Sequence, residues 1–167
     1  CPDGYTLINN DCIKCKSGKI GKNNKCIDCD QGFYSSEDGS KVCTPCPFGQ
    51  FQSLKGQSDC LSCPVGQYQD KQGQIKCSDC PAGQYQDKPG QNGCKVCGSG
   101  TYSPHSGQTG CKSCPVNQYQ NAAGQSRCIG CPSHYDTKGQ TGQTQCSVST
   151  GWGHNVGYID RVPTNGS

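Results

Sequence analysis

The spacing of the cysteines limits this chain more than any other feature. From Cys63 the sequence reads Cys-Pro-Val-Gly-Gln-Tyr, runs through Gly73-Gln74 to Cys77, and after Ser78-Asp79 meets Cys80, where the pattern starts again. Counting the opening cysteine as position 0, Pro stands at +1, Gly at +3, an aromatic at +5, Gly-Gln at +10 and +11, and a second cysteine at +14. The period is 17, and Cys29, Cys46, Cys80, Cys97 and Cys114 open further copies. Self-similarity at a fixed period marks a repeat array, and no reading of single segments can ignore it.

Each recurrent position has a physical reason. Pro fixes φ and stiffens the exit from the cysteine. Gly at +3 (Gly32, Gly49, Gly66, Gly83, Gly100) permits a backbone angle or a close approach that a side chain would block. Asn117 takes that place once, and Asn is the next most tolerant of a left-handed angle. The aromatic at +5 (Tyr34, Phe51, Tyr68, Tyr85, Tyr102, Tyr119) is the only large apolar group of most copies and is expected to cover the disulfide. Gln67-Tyr68-Gln69 alternates polar and aromatic, as a short strand with one buried face does. Asp70 to Gly73 reads as a turn and Gln74 to Cys77 as the return strand, so each copy is expected to be an irregular hairpin closed by one S–S bond.

Of the 18 cysteines, sixteen form eight Cys-x-x-Cys pairs from Cys12/Cys15 to Cys128/Cys131, and Cys1 and Cys146 stand alone at the two ends. Connectivity does not follow from sequence alone. One scheme uses every cysteine, by joining the second of each pair to the first of the next. It gives Cys1–Cys12, Cys15–Cys26, Cys29–Cys43, Cys46–Cys60, Cys63–Cys77, Cys80–Cys94, Cys97–Cys111, Cys114–Cys128 and Cys131–Cys146. Bonds within each Cys-x-x-Cys would strand Cys1 and Cys146. Four all-cysteine zinc sites would strand them too, although paired Cys-x-x-Cys is a strong zinc signal in a cytosolic protein. Redox catalysis is disfavoured because no βαβ pattern surrounds any pair. A cysteine content this high in a chain only 30% hydrophobic points to a disulfide scaffold and an oxidising compartment.

Cys-Pro-x-Gly-x-Tyr followed by Gly and Cys-x-x-Cys resembles the ephrin-receptor-type cysteine-rich repeat, itself similar to the growth-factor-receptor and tumour-necrosis-factor-receptor cysteine-rich modules. The resemblance covers Cys29 to about Cys131 well and the first 28 residues loosely. It implies an extracellular disulfide ladder, found in receptors, adhesion proteins and large surface proteins of many kinds. The Gln-rich variant Gly-Gln-Tyr-Gln-Asp-Lys looks more like protist and algal surface proteins than like an animal receptor.

The chain divides into residues 1–28, two shortened copies; 29–131, six full copies; 131–146, an atypical last copy; and 147–167, a tail without cysteine. The expected fold class is small and disulfide-rich: an elongated, helix-poor rod of tandem one-disulfide loops with short irregular hairpins. Without cross-links such a composition would leave the chain disordered. Residues 1–28 carry Lys14, Lys16, Lys19, Lys22 and Lys25, either a basic patch for an acidic glycan or a solvated face. Nearby Asp11, Asp28 and Asp30 and a net charge of only +3 favour the solvated face and give no case for nucleic acid. His105 lies in a polar turn and is expected to be solvated. No signal sequence opens the chain, as for a mature chain or a fragment, and no run is apolar enough to span a membrane.

The tail holds the only Trp. Trp152, Tyr158, Ile159 and Val162 form an apolar set expected to contact a neighbouring chain, or the first loops around Tyr5, Leu7 and Ile8. Asn165-Gly166-Ser167 is an N-glycosylation sequon. His154 and Asp160 do not make a credible triad in so Gly-rich a segment. No catalytic residue, metal ligand or cofactor site is expected. The function classes are then a structural rod, assembling as a homo-oligomer or filament of identical chains, and a receptor-like ectodomain for a protein ligand. Near-duplicate copies favour the first, because recognition requires loops that differ.

Overall fold

The structure, a computed structural model, describes residues 1–150. Nine antiparallel two-stranded hairpins follow one another, and the described residues contain no helix. The architecture is the expected elongated, disulfide-rich array of one-disulfide loops.

The first two copies have the longer strands. β1 (Tyr5–Ile8) pairs with β2 (Asp11–Lys14), and β3 (Lys19–Lys22) with β4 (Lys25–Asp28). Asn9-Asn10 and Asn23-Asn24 close them with positive φ at both positions, the geometry that lets a two-residue turn match strand twist. From the third copy on, the strands shrink to two residues, such as Gln67–Tyr68 against Ser78–Asp79, and a broad turn lies between them. In the last copy Tyr135–Asp136 pairs with Ser147–Val148, so the hairpin reaches past Cys146. Tyr135 there stands one register place before the aromatic of the other copies, and Asp136 fills the aromatic's place.

Such hairpins are too small to persist alone. Main-chain hydrogen bonds between copies make up the difference. Between the copies opened by Cys46 and Cys63, Gly49 N–H donates to the Gln69 carbonyl (2.8 Å), Gln52 N–H to the Gln74 carbonyl (3.0 Å), and Gly73 N–H to the Cys46 carbonyl (2.8 Å). The next junction repeats them as Gly66 to Gln86 (2.7 Å), Gln69 to Gln91 (3.1 Å) and Gly90 to Cys63 (2.8 Å). Every junction from the third copy to the eighth has the same three bonds. Copies two apart also touch: a Cβ on Gly49 would lie 2.1 Å from the Gly90 carbonyl oxygen. The copies are therefore stacked, each on its neighbour and its next-but-one neighbour, and not strung as separate beads.

The core follows the stack. Cys15, Cys29, Cys46, Cys63, Cys80, Cys97 and Cys114 are buried, at no more than 1% exposure, whereas Cys1 and Cys131 in the two outer copies are not. The other buried side chains are polar and stand at +6: Gln52, Gln69, Gln86 and Gln120, with Ser35, Ser103 and Thr137 in the third, seventh and ninth copies. The +5 aromatics are only half-buried, so the inward residue of the alternating stretch is the glutamine and not the ring. The centre of the stack is made of main-chain amides that need donors and acceptors, which an aromatic face cannot supply.

Closing a loop of about 15 residues restricts the unfolded chain by on the order of 3 kcal/mol, and no apolar core takes over if that restriction is removed. Full reduction at neutral pH without denaturant is expected to abolish the β-type circular dichroism. Persistence of the native spectrum in strong reductant would show that the hydrogen bonds between copies suffice alone.

Candidate functional site

The eighteen cysteines come together as nine bonds: Cys1–Cys12, Cys15–Cys26, Cys29–Cys43, Cys46–Cys60, Cys63–Cys77, Cys80–Cys94, Cys97–Cys111, Cys114–Cys128 and Cys131–Cys146. No free thiol and no His/Cys/Asp/Glu cluster able to hold a metal occurs among the described residues. In the second to eighth copies each bond links a buried opening cysteine to a half-buried closing cysteine near the hairpin end.

Inside four of the loops a second clasp operates. Gln69 donates from Nε2 to the Lys76 carbonyl (2.7 Å) and accepts at Oε1 from Lys71 N–H (3.0 Å). Gln52, Gln86 and Gln120 repeat both bonds, with Asp59 and Leu54, Gly93 and Lys88, and Arg127 and Ala122. One side chain thus ties both ends of the broad turn. Ser35 and Ser103 are too short to span it. Within their own turns their hydroxyls reach the Glu37 and His105 carbonyls and no second group, Ser35 also bonding the Lys19 carbonyl of the preceding copy, and the turns at 36–39 and 104–107 take a different form from that closed by Gln52, Gln69, Gln86 and Gln120. The sequence carries this signal as Gln recurring at +6, but its polarity reads as exposure.

Several charged side chains pair on the surface. Lys16 bonds Asp38 (3.1 Å), Lys19 bonds Asp28 (2.7 Å), Lys55 bonds Asp30 (2.7 Å) and Lys95 bonds Asp87 (2.6 Å). Two of the five N-terminal lysines are thereby neutralised, which weakens a basic docking patch. The Ser17 N–H, with Lys16 beside it, holds the Asp38 carboxyl below the usual carboxylate range and ties the third copy to the second. The hydrogen bond to Asp87 raises Lys95, whose ammonium also sits 5.8 Å from the Tyr85 ring centre. These pairs are exposed, so their contribution to stability is small. His105 is exposed in its turn. An open cavity of about 220 Å³ between the last two copies is lined by Tyr119, Pro132, Tyr135, Gln145 and Cys146, with no nucleophile or carboxylate in its wall. Trp152, His154, Tyr158, Ile159, Asp160, Val162 and Asn165 lie outside the described residues.

With this geometry in view, comparison with protein families gives a match. The family described as tyrosine-protein kinase ephrin type A/B receptor-like matches over residues 17–56, 49–91, 71–107 and 100–147. The chain belongs to this family. The matched segments overlap and tile the stack from its second copy to its last, as a short motif repeated in register does. A search among curated proteins finds no match. No helix among the described residues is long and apolar enough to cross a membrane.

Gln86→Ala removes one clasp while leaving the Cys80–Cys94 bond in place. It is expected to cost about 1–2 kcal/mol and to speed exchange of the amides from Asp87 to Gly93, with the other loops unaffected. Unchanged exchange in that turn would show that the disulfide alone fixes its shape.

Proposed function

We propose that the chain is an extracellular or cell-surface structural protein, a disulfide-stapled stalk or a subunit of a surface filament, without catalytic activity. The observation that carries this reading is the identity of the junctions: the same three main-chain bonds recur whatever residues fill the turns. A stack built that way sets length and shape independently of side-chain detail, which is what a spacer requires. The cysteine content and the family support an oxidising, extracellular setting. In the filament reading, chains associate through Trp152, Tyr158, Ile159 and Val162, and Asn165 carries a glycan.

One observation favours the receptor-like alternative. The turns at 36–39 and 104–107 depart from the common form, and turns that differ are what a protein ligand could read.

Electron microscopy of the oxidised full chain, beside a chain ending at Thr150, separates the two. Ending there leaves the Tyr135–Asp136 and Ser147–Val148 pairing intact. The structural reading expects rods that join end to end only when residues 151–167 are present. Filaments from the shortened chain would remove the tail as connector. Single rods from the full chain, with stoichiometric capture of one surface protein that Ser103→Gln abolishes, would favour the receptor-like reading.

A further inference from the structure

The glycine at +3 looks like a conformational requirement, because φ is positive there in every full copy. The last two copies show that conformation is not the whole reason. Asn117 and His134 occupy the same position with φ of 61° and 70°. Side chains that tolerate the left-handed region are therefore accommodated at this turn.

What differs is the neighbour two copies ahead. In each of the first seven copies, a Cβ at +3 would lie 2.1–2.3 Å from the carbonyl oxygen of a glycine in the next-but-one copy. Gly66 meets Gly107 in this way at 2.3 Å, and Gly100 meets Gly142 at 2.2 Å. The last copy contains one more residue than the six full copies, yet Gly142 still donates its N–H to the Cys114 carbonyl (2.8 Å), so the extra residue lies before it and the contact is kept. Non-glycine residues at +3 begin at the copy that has no such glycine ahead of it among the described residues.

The main chain nevertheless starts as if another copy followed. Ser149 N–H donates to the His134 carbonyl (2.8 Å), the bond that Cys131 N–H makes to the Asn117 carbonyl in the copy before. Ser149 thus stands where an opening cysteine would stand, and has no sulfur to close a loop. At the other end, the two-residue turns of the first two copies have no glycine reaching back.

We infer that the copies opened by Cys114 and Cys131 are a terminal cap: with Asn117 at +3, the C-terminal face of the stack rejects a further copy of the same repeat. This holds equally for a copy of this chain and for one of a second chain. A seated tenth copy would press its glycine carbonyl into the Asn117 side chain. Association of identical chains then cannot continue the stack from one molecule into the next, and must use side faces or chain outside the array. The inference stands whether the function is structural or receptor-like.

Grafting tests it. The sequence of residues 80–94 is inserted between Val148 and Ser149 of the full chain, once with Asn117 and once with Asn117→Gly, and subtilisin nicking of the grafted turn is measured under oxidising conditions. The cap predicts that the turn resists cleavage at least tenfold better with Asn117→Gly. Equal nicking in the two variants, fast or slow, overturns it. Because a grafted loop can fail to oxidise, Gly100→Asn in the ungrafted chain serves as a second test. Its φ of 76° suits Asn, so only the Gly142 contact is lost. The turn around Gly142 should then nick at least tenfold faster while the turns of the third to sixth copies do not. Unchanged nicking at Gly142 would likewise overturn the cap.

Discussion

The structure depends on main-chain hydrogen bonds that run between copies. From the third copy on, each hairpin has four ladder residues and one cross-link, too little to hold a shape. The bonds from Gly66 to Gln86, Gln69 to Gln91 and Gly90 to Cys63 give every copy a second and third anchor in its neighbour. They can form only if backbones come very close, and that closeness dictates where glycine stands. It also explains why the buried side chains are half-cystine, glutamine, serine and threonine. Around a column of amides, small or hydrogen-bonding groups pack where larger apolar ones would leave polar atoms unsatisfied.

Disulfide and hydrogen bond have separate tasks in this arrangement. The nine cross-links keep each loop small and limit the freedom of the unfolded chain. The hydrogen bonds orient one closed loop on the next. A solenoid whose units contact only near neighbours gains stability by junctions, so its length can change without redesigning its interior. This suits the proposed spacer role, and it requires that something define the end of the stack, which Asn117 does.

Much of this was legible in the sequence. The period of 17, the pattern Cys-Pro-x-Gly-x-Tyr and the two single cysteines led to a helix-poor array of one-disulfide loops, and to the family. The contacts between copies were not legible, because they involve peptide groups that every residue carries. Gln69 was misread for a related reason: a polar residue in a polar chain reads as solvated, and only the position of the Lys76 carbonyl and Lys71 N–H shows it to be enclosed. The glycine at +3 was read as either a backbone angle or a close approach. The sequence could not decide between them, since the approach comes from a residue 41 positions away, Gly107 against Gly66.

Amide hydrogen exchange on the oxidised chain tests the central claim most directly. The stacked arrangement predicts that the amides of Gly66, Gln69 and Gly90 exchange slowly and at similar rates, far below those of exposed turn amides such as Gln72. If those three exchange as fast as the turn does while every disulfide stays closed, the copies are independent loops and the stack does not exist in solution.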